Sequence, residues 1–265
     1  MRMKGCLTMT CELPSRHAPL DPLVITFSDA AYLPLLEIWL ARMRQLGVAP
    51  VRVYCLDAPT LAWCRSEGVA CELVRWSGSL QDLWLQRVRI ISSLLATGQE
   101  IIHSDTDAVW TKNPLREGSA RLGEQDLMFS QGTVWPDDVH DRWGFVLCCG
   151  WFRARPSPAA CRFFQALEVD IAVTADDQVS VNRLLLAWGV QWKRSTSDYR
   201  LSFRDRTVQC WHSPLTATAG SLSVALLPHR EFQRLPEPGG GIVKHYLTPK
   251  DCTLKIEALR AHGLL

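Results

Sequence analysis

The stretch Ser104-Asp105-Thr106-Asp107-Ala108-Val109-Trp110 decides how the chain folds, because it ends the apolar run Ile101-Ile102 with two acidic residues. The run predicts a buried strand over residues 100–104. Side chains alternate along a strand, so Asp105 and Asp107 are expected on one face, beside its carboxyl end. Two carboxylates there suit a hard divalent cation, Mg²⁺ or Mn²⁺, that also holds a diphosphate. The structural alternative is a strand stop, since Asp is common in turns.

The composition is that of a globular protein without a strong charge. The chain has 265 residues, of which 47% are hydrophobic and 21% are charged, and its formal net charge is +2. A chain of this length buries a full core, and its small charge does not indicate a nucleic-acid partner. No run of about 18 apolar residues predicts a membrane span.

The cysteines indicate a reducing compartment. Ten cysteines are scattered without a CxxC pair, and charges and prolines interrupt every apolar run in the first 20 residues. Because this start does not have the pattern of a secretory signal, we expect reduced thiols and a cytoplasmic location.

Strands alternate with helices before the acidic pair, which predicts an α/β fold with a mostly parallel central sheet. The expected strands cover residues 23–27, 51–55 and 70–74, and the expected helices cover 30–46, 59–67 and 83–97. Ligands of open α/β sheets bind at the carboxyl ends of strands, which is where Asp105 and Asp107 fall.

The second half of the chain predicts a smaller, β-rich C-terminal part. Strands are expected over 127–130, 145–152, 191–193, 222–227 and 242–246, and helices over 158–167, from Asp176 onward, and over 253–262. Residues 134–142 and the segments between the late strands have polar, turn-like sequences. We therefore predict a lead-in over residues 1–21 and one α/β domain over 22–265.

Several short motifs follow one another along the chain, namely Arg87 before Gly98, Asp105, Asp107, Trp110, Pro114, Asp177-Gln178 with Asn182, His245 and Lys255. Taken in this order, they resemble the nucleotide-diphospho-sugar transferases of GT-A fold, particularly the branch of plant cell-wall xylosyl- and arabinosyltransferases, so the domain over 22–265 is expected to be GT-A-like. The chain departs from that pattern at Cys148, where the family has Asn, at Asn113, where it has Asp, and at the final Leu265, where it has Trp. These departures bear on activity and on sugar and acceptor preference more than on the fold.

The resemblance implies a metal-dependent glycosyltransferase that moves a sugar from a nucleoside diphosphate sugar to an acceptor hydroxyl with retention of configuration. It implies that Asp105, Asp107 and His245 hold Mn²⁺ or Mg²⁺, and that Asp105, Arg87 and Lys255 contact the nucleotide sugar. The structural alternatives are a surface histidine, a solvated or ion-paired helix arginine and a solvated helix lysine. The acceptor stays open among a glycan, a protein, a small molecule and a modified nucleic-acid base.

The resemblance also places Asp177 and Gln178 beside the anomeric carbon or the acceptor hydroxyl. The structural alternative is ordinary capping, since both residues lie at a predicted helix start. His103 is expected to be a buried, hydrogen-bonded histidine. The tryptophans at positions 135, 143 and 151 suit either sugar stacking or core packing.

Two other functions fit part of the pattern. Asp105-Thr106-Asp107-Ala108-Val109 also matches haloacid-dehalogenase-like phosphatases, in which the first Asp is a covalent nucleophile. That motif normally ends the first strand, whereas three strand–helix units precede it here. The second alternative is a catalytically silent sugar- or nucleotide-binding domain of the same fold.

Overall fold

A nine-stranded mixed sheet forms the centre of the computed structural model, which describes residues 21–117, 123–193 and 198–265. The predicted lead-in, apart from Asp21, lies outside the described residues. The strands are β1 (Leu23–Ser28), β2 (Val51–Cys55), β3 (Cys71–Leu73), β4 (Ile101–Ser104), β5 (Val109–Trp110), β6 (Leu127–Gln131), β7 (Leu147–Ala154), β8 (Gln191–Trp192), β9 (Asp198–Phe203), β10 (Arg206–Trp211), β11 (Leu215–Ala219), β12 (Leu222–Leu226), β13 (Phe232–Gln233) and β14 (Val243–Lys244). The helices are α1 (Leu33–Gln45), α2 (Ala58–Ser66), α3 (Leu80–Ala96), α4 (Pro114–Glu117), α5 (Asp137–Trp143), α6 (Pro158–Thr174), α7 (Asp177–Ala187) and α8 (Cys252–Ala261), and a 3₁₀ turn over Ala30–Tyr32 precedes α1.

The order of the central sheet is β3-β2-β1-β4-β7-β6-β12-β11-β8. The strands β3, β2, β1 and β4 pair in parallel, as expected for strands joined by helices. β7 then runs antiparallel to both β4 and β6, and β11 runs antiparallel to both of its neighbours. The predicted α/β class is confirmed, and the acidic pair follows the last strand of the parallel half.

Helices cover both faces of this sheet, which explains why consecutive residues of β1 and β4, such as Val24-Ile25 and Ile101-Ile102, are apolar. Alternate residues of these strands enter different cores: Ile25 and Ile101 pack with α3 and α6, whereas Val24 and Ile102 pack with α1. Within the described ranges, none of the helices combines the length and the apolar composition that a membrane crossing requires.

The prediction of a polar loop over 134–142 is wrong, because helix α5 occupies Asp137–Trp143. Its acidic residues are paired rather than simply solvated. Arg206 on β10 pairs with Asp137 at 2.9 Å and also with Asp141, and Arg183 on α7 pairs with Asp138 at 3.0 Å. Partners distant in sequence thus stabilise a helix whose local sequence is turn-like.

The prediction of polar turns between the late strands is also wrong, since β9, β10 and β11 lie between β8 and β12. β9 and β10 form an antiparallel hairpin, and β11 pairs with β12. In β11 the inward-facing residues are Leu215, Ala217 and Ala219, which alternate with threonines. The two alanines are so small that the period-two pattern is weak in the sequence.

A small second sheet carries the C-terminal part to the acidic pair. β14 lies between β13 and β5, and Val243 pairs antiparallel with Trp110. Because β5 begins two residues after Asp107 and β14 ends directly before His245, this pairing places His245 beside the acidic pair. α8 packs on α1 through Leu35, Ile256 and Leu259, which places Lys255 at the same edge.

Candidate active site

The two aspartates lie in a tight turn at the carboxyl end of β4, as predicted. The Asp105 amide donates to the carbonyl of Gly150 on β7 at 2.8 Å, and the Ala108 amide donates to the Asp105 carbonyl at 3.1 Å. The first bond continues the ladder between β4 and β7, and the second directs the chain into β5. One short turn therefore holds both carboxylates at the same edge of the sheet.

Asp105, Asp107 and His245 converge, with one ligand atom of each within 4.8 Å of the others. His245 Nε2 lies 3.1 Å from Asp107 Oδ1 and 3.9 Å from Asp105 Oδ2. Gly150 leaves the space for the imidazole, because a Cβ there would lie 2.0 Å from His245 Cε1. Two carboxylates and one imidazole are a donor set that fits Mn²⁺ or Mg²⁺.

Positive groups surround the Asp107 carboxylate. Lys255 Nζ donates to Asp107 Oδ2 at 2.5 Å. Burial opposes the ionisation of Asp107, but His245 and Lys255 outweigh it and hold the pKa of the carboxyl well below its usual value. Burial and Arg234 disfavour the charged form of His245, yet Asp107 raises the pKa of that imidazole to about 9. The three side chains form a compact ionic cluster.

Arg87 on α3 is not a solvated helix arginine, since only 4% of its surface is exposed. It forms an ion pair with Asp177 and lies 3.6 Å from Asp105. Its Nη1 also lies 3.0 Å from Nε2 of His103, which is buried as expected. Burial and the charge of Arg87 lower the pKa of His103 to about 4, so the imidazole stays neutral near pH 7. Arg87 thus links the start of α7 to the acidic pair.

At the start of α7, the residue that caps the helix is not one of the two predicted site residues. Asp176 is the N-cap, with Oδ1 accepting from the Val179 amide at 2.8 Å. The capping alternative for Asp177 is therefore wrong, because its carboxylate pairs with Arg87. Gln178 Nε2 donates to the carbonyl of Trp135 at 2.9 Å.

Asn182 fixes α7 against β7. Its amide accepts from Leu147 N at 2.8 Å and donates to Leu147 O at 2.9 Å. These bonds hold α7 in place, with Asp177 in its first turn. The match of Asn182 to the family pattern thus has a structural explanation.

A cleft of about 260 Å³ opens beside the acidic pair. Its charged lining residues include Arg87, Asp105, Asp107 and Lys255. Aromatic rings also line it, namely those of Phe27, Tyr32, Trp76 and Trp84. The Arg87 guanidinium stacks on Trp84, 4.5 Å from the ring centroid. The cleft thus combines aromatic surface with charge, which suits a nucleotide.

None of these aromatic residues was predicted from the sequence, which indicated the tryptophans at positions 135, 143 and 151 instead. Trp143 packs against Phe145, and Trp151 is fully buried, so both belong to the core. Trp135 is 53% exposed. The signal for Trp84 was its position three residues before Arg87, which puts both side chains on one face of a helix.

Cys148 lies behind His245, with Sγ at 3.7 Å from Nδ1. Burial raises the pKa of this thiol, but Arg234 and the hydrogen bond with His245 outweigh burial and lower the pKa to about 7. Arg234 donates to the carbonyl of His245 at 2.8 Å. Neither the thiol contact nor Arg234 was predicted as part of the site.

The mixed sheet, with an acidic pair at a strand end beside an aromatic cleft, defines a fold of the GT-A glycosyltransferase class. Glycosyltransferase GlyE of Streptococcus pneumoniae aligns with a TM-score of 0.55 at 12% identity, over 92% of this chain and 64% of that one. Galactosyltransferase LgtC, solved with donor and acceptor sugar analogues, aligns with a TM-score of 0.50 at 12% identity, over 92% and 96%.

The chain belongs to the nucleotide-diphospho-sugar transferase family, whose sequence pattern matches residues 47–251. It is 28% identical over 187 residues to arabinosyltransferase XEG113 of Arabidopsis thaliana, a match that covers 64% of this chain and 29% of that protein. The chain therefore spans less than a third of the length of this relative. The resemblance found in the sequence is confirmed, and family membership favours the transferase over the phosphatase.

Proposed function

We propose that this protein transfers a sugar from a nucleoside diphosphate sugar to an acceptor hydroxyl, with Mn²⁺ or Mg²⁺ held by Asp105, Asp107 and His245. One observation carries the proposal: the three side chains converge within 4.8 Å beside an aromatic cleft. The donor set suits either cation, and the rings offer a stacking surface for a nucleoside.

The charges of the cleft fit a departing diphosphate. A bound cation supplies positive charge that stabilises this leaving group. Lys255 Nζ, 2.5 Å from Asp107, lines the same cleft and adds a second positive charge. Arg87 lines it as well, and we assign donor contacts to Asp105, Arg87 and Lys255.

Asp177 and Gln178 are the residues that we assign to the reacting sugar. The ion pair with Arg87 holds the Asp177 carboxylate next to a cleft-lining residue, and the carbonyl of Trp135 orients Gln178. A carboxylate near the anomeric carbon stabilises the positive charge that develops there, and it can also orient an acceptor hydroxyl. Retention of configuration is part of the proposal on the strength of the family resemblance alone.

The wider setting is also a proposal. The acceptor stays open among a glycan, a protein, a small molecule and a modified nucleic-acid base. A cytoplasmic location is supported by the eight described cysteines, which are free thiols. A single domain over 22–265 is supported by the packing of α8 against α1.

Release of nucleoside diphosphate from a panel of UDP- and GDP-sugars tests this function. With water as acceptor and Mn²⁺ present, we expect slow release from at least one donor, and we expect EDTA or D107N to abolish it. Cation-dependent binding without release from any donor would indicate a silent binding domain instead. Rapid turnover of an aryl phosphate that D105N removes would indicate the phosphatase.

A further inference from the structure

Each of the three candidate cation ligands turns one atom toward the other two and a second atom toward a separate neighbour. The outer pairs are Asp105 Oδ1 with His103 Nε2 at 3.0 Å, Asp107 Oδ2 with Lys255 Nζ at 2.5 Å, and His245 Nδ1 with Cys148 Sγ at 3.7 Å. The remaining atoms of the ligands face one another. Outer partners of this kind orient a metal ligand and raise its affinity for the ion.

We propose that Cys148 is a positioning residue for His245. Its sulfur accepts a hydrogen bond from Nδ1–H and thereby orients the ring so that Nε2, after releasing its proton to solvent, would offer its lone pair to a cation held by Asp105 and Asp107. This inference rests on the proposed function and deepens it, because it adds a residue on which the cation affinity depends.

The surroundings of Cys148 favour an acceptor role for the sulfur. The side chain is 2% exposed, and the Gly150 amide donates to the same Sγ at 3.5 Å. Cys148 and Gly150 are two residues apart on β7, which is the spacing of one strand face. One supplies the sulfur and the other, lacking a Cβ, supplies the space for the imidazole. Together they form the site that accommodates the imidazole of His245.

The backbone of His245 is fixed on both sides, so the sulfur acts on the side chain alone. The His245 amide donates to Gln233 O at 2.8 Å, and its carbonyl accepts from Arg234 at 2.8 Å. The side-chain torsions are then the remaining freedom of the imidazole, and a contact at Nδ1 limits them. Loss of that contact is expected to leave Nε2 less well oriented without unfolding the protein.

Cys149 provides a matched control within the same strand. It is buried like Cys148, but it packs in the core on the α3 and α6 face. C149A therefore removes the same atom from an adjacent position without touching His245.

Titration with MnCl₂, followed by electron paramagnetic resonance, tests the inference. C148A and C148V, which replaces the sulfur with apolar methyl groups, are expected to bind Mn²⁺ about tenfold more weakly than wild type, the lower end of the usual effect of losing an outer partner. C148S is expected to retain most of the affinity, because its hydroxyl oxygen accepts the same hydrogen bond. C149A is expected to match wild type, and thermal unfolding in EDTA verifies that each variant is folded.

The outcomes separate this inference from the function on which it rests. Wild-type affinity in folded C148A or C148V would overturn the role of Cys148 and leave the cation site standing. A wild-type protein that binds Mn²⁺ no better than D107N does would overturn both. A loss in C149A equal to that in C148A would also overturn the inference, because it would assign the effect to packing.

Discussion

Lys255 on α8 donates to Asp107 Oδ2 at 2.5 Å across 148 residues of sequence. The same ammonium donates to Thr248 Oγ1 at 2.9 Å. Both members of the ion pair are largely shielded from solvent. The ammonium group of Lys255 therefore holds the C-terminal helix and a carboxylate of the candidate cation site together.

The K255M variant removes this charge and keeps the apolar stem. We expect the affinity for UDP at saturating Mn²⁺ to fall about tenfold, since a hydrogen bond to a charged group contributes roughly 1.5–3 kcal/mol. Isothermal titration calorimetry measures it, and K250M, which alters an exposed lysine nearby, is the control. Wild-type affinity in K255M would remove Lys255 from the donor site.

The R87M variant is expected to destabilise the protein by about 3–5 kcal/mol, because it leaves the buried Asp177 carboxylate without its partner. Adding D177N removes that uncompensated charge and is expected to restore part of the loss. Urea denaturation of the two variants and wild type measures the difference. An unfolding midpoint of R87M equal to that of wild type would show that the ion pair does not support the fold.

The loss of folding stability at acidic pH is expected to depend on Glu237. Burial favours its neutral form, but hydrogen bonds from His229 and Tyr199 outweigh burial and hold the pKa of the carboxyl below its usual value. A lowered pKa in the folded state stabilises the protein above the unfolded pKa of about 4.3, and this contribution is lost as the pH falls through the folded pKa.

The E237Q variant is therefore expected to be less stable than wild type at pH 7, with a difference that shrinks below about pH 4. Denaturant titrations between these values measure it, and E257Q, which changes an exposed carboxylate on α8, is the control. A difference that stays constant with pH would contradict the assignment to the ionised carboxylate.

The G150A variant is expected to weaken Mn²⁺ binding at least about tenfold, as other losses of ligand orientation do. The added Cβ would lie 2.0 Å from His245 Cε1 and 2.8 Å from Asp105 Oδ2, so the imidazole must move. G240A is the matched control, because a Cβ there meets nothing within 4 Å. Equal Mn²⁺ affinity in both variants would show that the imidazole has room to shift without loss of binding.

The sequence carried enough information for the parallel half of the sheet and for the acidic pair. Consecutive residues of β1 and β4 are apolar because both sheet faces are covered, and the turn after β4 is marked by Asp105 and Asp107 themselves. The approach of His245 to this pair was expected only through the family resemblance. No local pattern shows that β14 pairs with β5.

The parts that the sequence did not predict depend on contacts between distant residues. Helix α5 is stabilised by Arg206 and Arg183, and the aspartates that these arginines bind have a turn-like local sequence. The ion pair of Arg87 with Asp177 joins α3 to α7. Such pairs are set by the packing of whole elements, which local periodicity does not encode.

Binding of UDP and GDP with and without Mn²⁺ tests the candidate cation site most directly. Isothermal titration of the wild-type protein is expected to give an affinity about tenfold or more higher with Mn²⁺ than in EDTA, a typical coupling between two ligands of one site. D107N is expected to abolish this difference while circular dichroism shows a folded protein. Equal affinities of the wild-type protein with Mn²⁺ and in EDTA would contradict a cation site at Asp105, Asp107 and His245.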